Sequence, residues 1–321
     1  MRVAFHSNQL GLRGTEIALY DYANYNESLL ANESLIISNK HARNDAFDKF
    51  NTRFQVELYD NVNSISEICK KNDIDVLYMI KAGHDDGILS TSCTNAVHCV
   101  FKNNSPHGDI YAYVSEWLAR EASNLKYPWV PHIVHLPGKN ISVEDSRKQF
   151  NIPLGVRVFG YYGGNDSFDI AFVKQAVINR AKADKNTWFV FMNVNRFCDE
   201  SIENVKFFNG THDLAIKTAF IQSCDAMLHA RFRGETFGLA VGEFSLFNKP
   251  IITYYDSSER QHIEILKDYG IYYQNEEHLN FIFDNFEYIR STRIGDEPYH
   301  LEFSPENVMK KFNSVFLCYQ K

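Results

Sequence analysis

The sequence contains no apolar run approaching the roughly 20 residues that a membrane-spanning helix needs. It also lacks an excess of basic residues. Its 33 Lys and Arg stand against 40 Asp and Glu, for a formal charge of −7 and a pI near 5.9. Nucleic acid is therefore a poor expected partner, because its phosphates call for a basic face. The six cysteines (Cys69, Cys93, Cys99, Cys198, Cys224, Cys318) form no C-x-x-C pair and read as reduced and mostly buried. No His/Cys/Asp cluster has metal-ligand spacing. Neither a G-x-S-x-G elbow nor a G-x-x-x-x-G-K-[ST] phosphate loop occurs, and no solenoid-length repeat or low-complexity tract is present. What remains is an ordinary globular composition, 45 % hydrophobic and 23 % charged, which excludes disordered, collagen-like and coiled-coil chains.

At 321 residues and about 150 per domain, two domains are expected. Met1–Phe5 reads as a strand rather than a secretory leader. Asn-x-Ser/Thr sites at Asn26, Asn32, Asn103, Asn140, Asn165 and Asn209 would invite glycans in a secreted protein. They read here as products of an Asn-rich composition, and a cytoplasmic protein is expected.

Short apolar runs alternate with helical stretches, the pattern of parallel α/β sheets. In the first half, strands are expected at 3–6, 34–38, 54–58, 75–80, 96–101, 110–115 and 133–136. Helices are expected at 15–25, 43–51, 62–72 and 116–125. A polar stretch from Pro137-Gly138-Lys139 to Pro153 marks the domain junction. The pattern then restarts, with strands at 156–162, 187–193, 205–208, 226–229 and 250–254. Helices are expected at 169–183, 213–223, 238–247 and 259–269, and a last one starts at Ser304-Pro305. The expected domains are 1–138, 139–303 and a C-terminal helix, 304–321. The fold class is α/β, two doubly wound Rossmann-like domains facing a cleft. Ligands in such sheets bind beyond the carboxyl ends of the strands.

The strongest chemical pattern is His229-Ala230-Arg231-Phe232-Arg233-Gly234-Glu235-Thr236-Phe237-Gly238-Leu239, continuing to Glu243. A strand ends near His229 and a helix begins around Thr236–Gly238. The first turn of a helix has free N–H groups and the positive dipole end, which suits an anion. Gly238 permits close approach to the backbone, and Arg231 and Arg233 add charge-assisted donors. Glu235 at the helix mouth can accept sugar hydroxyl bonds. Glu243 lies eight residues on, about 12 Å along the helix, within reach of the ribose end of an extended ligand.

With Asn248-Lys249-Pro250-Ile251-Ile252 behind it, this stretch resembles the second domain of retaining glycosyltransferases of the GT-B fold. Their hallmark is Glu, seven residues, Glu around a Phe-Gly-Leu turn. The resemblance implies transfer of a sugar from a UDP- or GDP-type donor to a glycan, lipid or other hydroxyl acceptor. Anomeric configuration would be retained and no metal or cofactor required. In this class the last helix crosses back to the first domain. Glu235 would hold the sugar hydroxyls. Thr236, Phe237, Gly238, Leu239, Arg231 and Arg233 would meet the diphosphate, and Glu243 the ribose. Gly11-Leu12-Arg13-Gly14-Thr15-Glu16 is similar to the glycine-rich first loop that faces the donor diphosphate. Gly163, Gly164 and Asn165 follow the first strand of the second half, where relatives carry an arginine and then a lysine. Here Tyr161 and Tyr162 stand instead, with Arg231, Arg233 or Arg196 as substitutes and Arg231 favoured. Ser105-Pro106-His107-Gly108-Asp109 matches a loop in which relatives place a histidine on the transferred sugar, so His107 is the candidate, with His98 and His84 as competitors. Asp73-Ile74-Asp75 matches a metal-binding D-x-D but reads as the entry to a strand. The alternatives are a nucleotide-sugar epimerase of the same fold, an NAD dehydrogenase and a non-catalytic glycan-binding relative.

Overall fold

The computed structural model describes residues 1–11, 13–136, 138, 141–292 and 298–318. Leu12 of the first glycine loop, Pro137 and Lys139 of the expected junction, and the Asn140 sequon lie outside them. The chain divides into two compact units, Met1–Ile133 with Leu301–Lys321, and Val134–His300. The borders read from the sequence, after 138 and after 303, fall a few residues later.

The N-terminal unit alternates β1 (Arg2–Ser7), α1 (Gly14–Ser28), β2 (Glu33–Asn39), α2 (Phe47–Arg53), β3 (Gln55–Tyr59), α3 (Ile65–Lys71) and β4 (Val76–Lys81). It continues with β5 (Thr94–Cys99), β6 (Ile110–Tyr113) and α4 (Glu116–Ser123). The strands form one parallel sheet in the order β3-β2-β1-β4-β5-β6. Val3, Ala4, Phe5, Leu77, Tyr78 and Met79 are fully or almost fully buried, as strands covered on both faces must be. The strand expected at 133–136 does not form. The sheet edge instead makes a single bridge, Tyr113 to Trp129, with Tyr113 N–H donating to the Pro128 carbonyl and Val130 N–H to that of Tyr113. Asp75 of the D-x-D accepts the Arg2 N–H at 2.8 Å, a structural role at the start of β1.

The C-terminal unit begins with α5 (Val143–Gln149), in the stretch the sequence reading left polar and open. Ser142 caps it by accepting the Asp145 N–H. Arg147 on its inner face is buried and donates to Asp225 Oδ2 at 2.9 Å and to the Val156 and Ser223 carbonyls. There follow β7 (Arg157–Tyr162), α6 (Ala171–Ala183), β8 (Thr187–Met192), β9 (Val205–Phe208), α7 (Leu214–Ser223), β10 (Ala226–His229), β11 (Gly234–Glu235), α8 (Leu239–Leu246) and β12 (Ile251–Tyr254). Next come β13 (Glu259–Arg260), α9 (Gln261–Leu266), β14 (Gly270–Tyr273), α10 (Glu276–Asp284) and α11 (Phe286–Ser291). The sequence reading did not resolve β14, α10 or α11. The helix it placed at 259–269 opens instead as β13, because Glu259 and Arg260 pair in parallel with Gly234 and Glu235.

The main sheet of this unit is parallel, in the order β14-β12-β10-β7-β8-β9. Its first and fourth strands, β7 and β10, are neighbours at the centre. The chain leaves them in opposite directions, the arrangement that opens a ligand crevice beyond their carboxyl ends. The same switch occurs in the N-terminal unit between β1 and β4.

The last helix, α12 (Pro305–Phe312), belongs to the N-terminal unit. Its N-cap is Ser304 with Pro305 in the first turn. Phe312 packs with ring centroids 5.0 Å from both Tyr22 and Tyr78 and 6.3 Å from Phe5. Among the cysteines, Cys69, Cys99 and Cys224 are buried, Cys93 and Cys198 half-buried and Cys318 exposed, all as thiols. No helix among the described residues is long and apolar enough to cross a membrane.

Candidate functional site

Most of the sequence-singled residues of the C-terminal unit fall on the two loops flanking its switch point. After β10 the chain runs through Arg231 and Arg233 into β11. The pairing of β11 with β13 fixes where Glu235 points. Gly238 then takes the N-cap of α8 with φ +90°, a backbone state open to glycine at no steric cost. A Cβ there would come within 3.3 Å of the His262 Cβ and 3.4 Å of the Glu235 Cβ. Glu235 therefore packs directly beside the helix mouth. Gly242 N–H bonds back to the Gly238 carbonyl. The N–H groups of Leu239, Ala240 and Val241 precede any helical acceptor and donate to none among the described residues. Leu239 and Thr236 are half-buried. Phe237 is a packing residue, 3 % exposed, with its ring 6.2 Å from that of Tyr299.

Glu235 is firmly partnered. Its Oε2 accepts from Arg231 Nη1 at 2.8 Å, and its Oε1 lies 3.2 Å from His229 Nε2. Burial would raise this carboxyl, but the Arg231 charge and the His229 hydrogen bond outweigh it and hold it at about 2. It is an anion at any neutral pH. The guanidinium of Arg231 is in turn raised by Glu235, yet its side chain keeps 27 % exposure. Arg233 takes another partner, with Nε 2.8 Å and Nη2 2.7 Å from Glu259 Oε1. Glu243 points inward rather than along the helix mouth. It is 4 % exposed and sits 2.7 Å from Lys217 Nζ of α7.

On the β7 side, Gly163 leaves room for two hydroxyl groups. A Cβ there would stand 2.6 Å from both Ser167 Oγ and Tyr161 Oη. The Gly164 carbonyl accepts from Ser167 Oγ at 2.6 Å, and the Gly163 carbonyl from Asn193 Nδ2 at 2.6 Å. Asn165 is exposed, and its carbonyl accepts the Asn195 N–H. In place of an arginine after Gly160, Tyr161 donates to Ser167 Oγ and is buried. The cation over the Tyr162 ring, at 5.3 Å, is Lys217. Arg196 instead pairs with Glu200 at 3.5 Å and lies over Phe207.

In the N-terminal unit, Gly14 is the exposed first residue of α1. His107 is half-buried. Its Nδ1 lies 2.8 Å from the Ser105 carbonyl and its Nε2 3.4 Å from Lys81 Nζ. An ammonium only donates, so the His107 proton belongs on Nδ1. Lys81, at the end of β4, also donates to Asp86 Oδ1 at 2.5 Å and to the Ile88 carbonyl. Burial raises Asp86, but the Lys81 and Ile88 hydrogen bonds and the Lys81 charge leave it below the ordinary value. Ligand atoms of Asp85, Asp86 and His107 lie within 4.8 Å of one another, a grouping the spacing rules did not reveal. Of the competing histidines, His84 is exposed. His98 is fully buried, with Nδ1 2.6 Å from Tyr78 Oη, and burial depresses it to about 4. It is a core residue.

Sequence reasoning missed His229, Thr253, His262, Glu259 and Lys217 as partners of the site. For Thr253 a pointer existed, since β10 and β12 are parallel neighbours and their ends place His229 opposite Thr253.

No protein-family model and no curated sequence matches the chain. Its fold, however, is shared across nearly its whole length with solved enzymes, and the two Rossmann-like units define the GT-B type. A glycosyltransferase from Rickettsia africae matches with TM-score 0.71 at 13 % identity, covering 98 % of this chain and 97 % of that one. Anabaena HepE in complex with UDP and glucose matches with TM-score 0.72 at 12 % identity, covering 99 % of both. A putative UDP-N-acetylglucosamine 2-epimerase from Listeria monocytogenes matches with TM-score 0.64 at 11 % identity, covering 100 % of this chain and 97 % of that one.

Proposed function

We propose that this chain is a retaining glycosyltransferase that moves a sugar from a UDP- or GDP-type donor to a glycan, lipid or other hydroxyl acceptor. One observation carries the reading: Glu235, held by Arg231 and His229, packs beside the open N-terminus of α8, at the switch point of a doubly wound sheet. The departing diphosphate develops negative charge. The N–H groups of Leu239, Ala240 and Val241, together with Arg231, are fixed donors that stabilise it without reorganising. Glu235 accepts from the sugar hydroxyls. Glu243 is the proposed ribose contact, which requires its carboxylate to serve Lys217 as well. His107 is the residue of the N-terminal unit proposed to hydrogen-bond a sugar substrate. Because protein donors meet the diphosphate, the reaction is proposed to need no metal. The folds shared with a UDP-bound and glucose-bound HepE and with a glycosyltransferase of Rickettsia africae support this reading. The likeness to a putative 2-epimerase supports a second one, in which donor is consumed without an acceptor.

The test is a thermal-shift panel of UDP, GDP, ADP and their sugars, since a ligand that binds only the folded chain raises its apparent stability. The hit should stabilise wild type and be turned over with Mg²⁺ chelated, while Glu235→Gln should bind it and turn it over far more slowly. No shift with any nucleotide, or complete dependence of turnover on Mg²⁺, would refute the reading as stated.

A further inference from the structure

Behind Glu235 the polar atoms continue into the core. His229 Nδ1 lies 2.8 Å from Thr253 Oγ1, which lies 3.2 Å from His262 Nε2. The three residues are 1 %, 0 % and 0 % exposed. They come from three elements. His229 ends β10, Thr253 stands opposite it in β12, and α9 brings His262 up so that the two rings are 5.0 Å apart. The chain stops at His262 Nδ1, which is buried with no hydrogen-bond partner.

The proton positions follow from the donor and acceptor capacities. An ionised carboxylate only accepts, so His229 Nε2 carries hydrogen. His262 Nδ1 has no partner, and an orphaned N–H is rarer in a protein interior than an under-satisfied acceptor, so the His262 hydrogen belongs on Nε2. The Thr253 hydroxyl, accepting there, is left to donate to His229 Nδ1. Burial depresses His262 to about 3, so its ring is neutral and its Nδ1 is a bare lone pair. The one unsatisfied atom of the chain is thus an acceptor at its far end.

We propose that Thr253 and His262 are positioning residues for Glu235, acting through a one-way chain in which His262 donates to Thr253, Thr253 to His229 and His229 to the carboxylate. Neither residue touches the proposed substrate. Together they hold the His229 ring so that its Nε2–H fixes one oxygen of Glu235, while Arg231 fixes the other. The role in turnover rests on the reading of Glu235 above, whereas the direction of the chain does not.

Long-range ¹H–¹⁵N correlation spectra of the full chain with labelled histidine test the direction. The expected pattern is hydrogen on Nε2 and a bare Nδ1 in both His229 and His262. Thr253→Val should move the bare Nδ1 of His229 downfield by removing its donor, and Thr253→Ser should restore it. Hydrogen on His229 Nδ1, or an Nδ1 signal indifferent to Thr253→Val, overturns the chain. Thermal unfolding of both variants confirms that they fold. UDP-glucose turnover tests the positioning. Thr253→Val should lower kcat about tenfold, as expected for one lost buried hydrogen bond, with the donor KM little changed and Ser restoring the rate. Wild-type kcat in Thr253→Val would overturn the positioning role even with the expected spectra. Failure of wild type to turn over any panel donor counts instead against the proposed function, and the spectra then decide the chain.

Discussion

The Lys217 ammonium lies 2.7 Å from Glu243 Oε1, with both side chains almost fully buried at 4 % and 5 % exposure. This pair ties α7 to α8 beneath the helix mouth. Removing one partner takes the buried counter-charge from the other, which costs about 3–5 kcal/mol. Lys217→Met and Glu243→Gln should each lower the urea-unfolding free energy by that order. The double variant should lose less than the sum, because neighbouring partners are not additive. Strict additivity would show that the two charges are not coupled.

Glu235 gives a pH prediction. Its carboxyl falls from an ordinary 4.5 to about 2 in the folded chain. A depressed carboxyl contributes stability that is complete above the unfolded value and is lost as pH falls through the folded one. The stability advantage of wild type over Glu235→Gln should therefore be constant above about pH 5 and shrink between 4.5 and 2. Removing Arg231, whose charge is the main lowering influence, should move that loss to higher pH. Urea midpoints measured from pH 6 to 2.5 on wild type, Glu235→Gln and Arg231→Met check both statements. An advantage that grows as pH falls would contradict them.

Lys81 occupies the one place in the N-terminal unit where Asp85, Asp86 and His107 gather. Its ammonium already serves as the cation for Asp86 and faces the Nε2 lone pair of His107. Lys81→Met should free both, raise the Asp86 carboxyl toward its ordinary range and let the cluster take a divalent ion. Calorimetry with Zn²⁺ should show tighter binding to Lys81→Met than to wild type, and binding lost again in Lys81→Met with His107→Ala. Equal affinities in all three proteins would show that the ammonium does not govern the cluster.

Phe312 fixes the returning helix to its unit through Tyr22, Tyr78 and Phe5, and is itself fully buried. Truncating a buried phenylalanine removes its transfer energy and leaves a cavity, about 3–5 kcal/mol together. Phe312→Ala should lower stability by that amount, read as a fall in the urea midpoint. A loss below about 1 kcal/mol would mean that α12 docks chiefly by other contacts.

Most strands were legible in the sequence to within a residue or two, and β9 and β10 at both ends. A strand buried on both faces must be a continuous apolar run, and that signal is local. Helix starts were legible where a capping residue stands, as at Asp213 and Ser304. The failures have specific causes. Residues 133–136 are an apolar run that pairs with no strand among the described residues, so the pattern alone overstates it. In α5, the buried position of Arg147 is satisfied by Asp225 and by carbonyls far along the chain, so the segment reads as solvated.

By itself the sequence determined two alternating α/β halves, the loops beyond their strands as the place to look, and the pairing of Glu235 and Glu243 eight residues apart. Tertiary structure alone decided what each carboxylate touches. His229 meets Thr253 because two parallel strands align in register, His262 arrives from a later helix, and Lys217 reaches Glu243 from 26 residues before it. A buried charge must find its counter-charge and hydrogen bonds wherever the fold supplies them. Those partners are set by distance in space, a quantity that spacing along the chain does not encode.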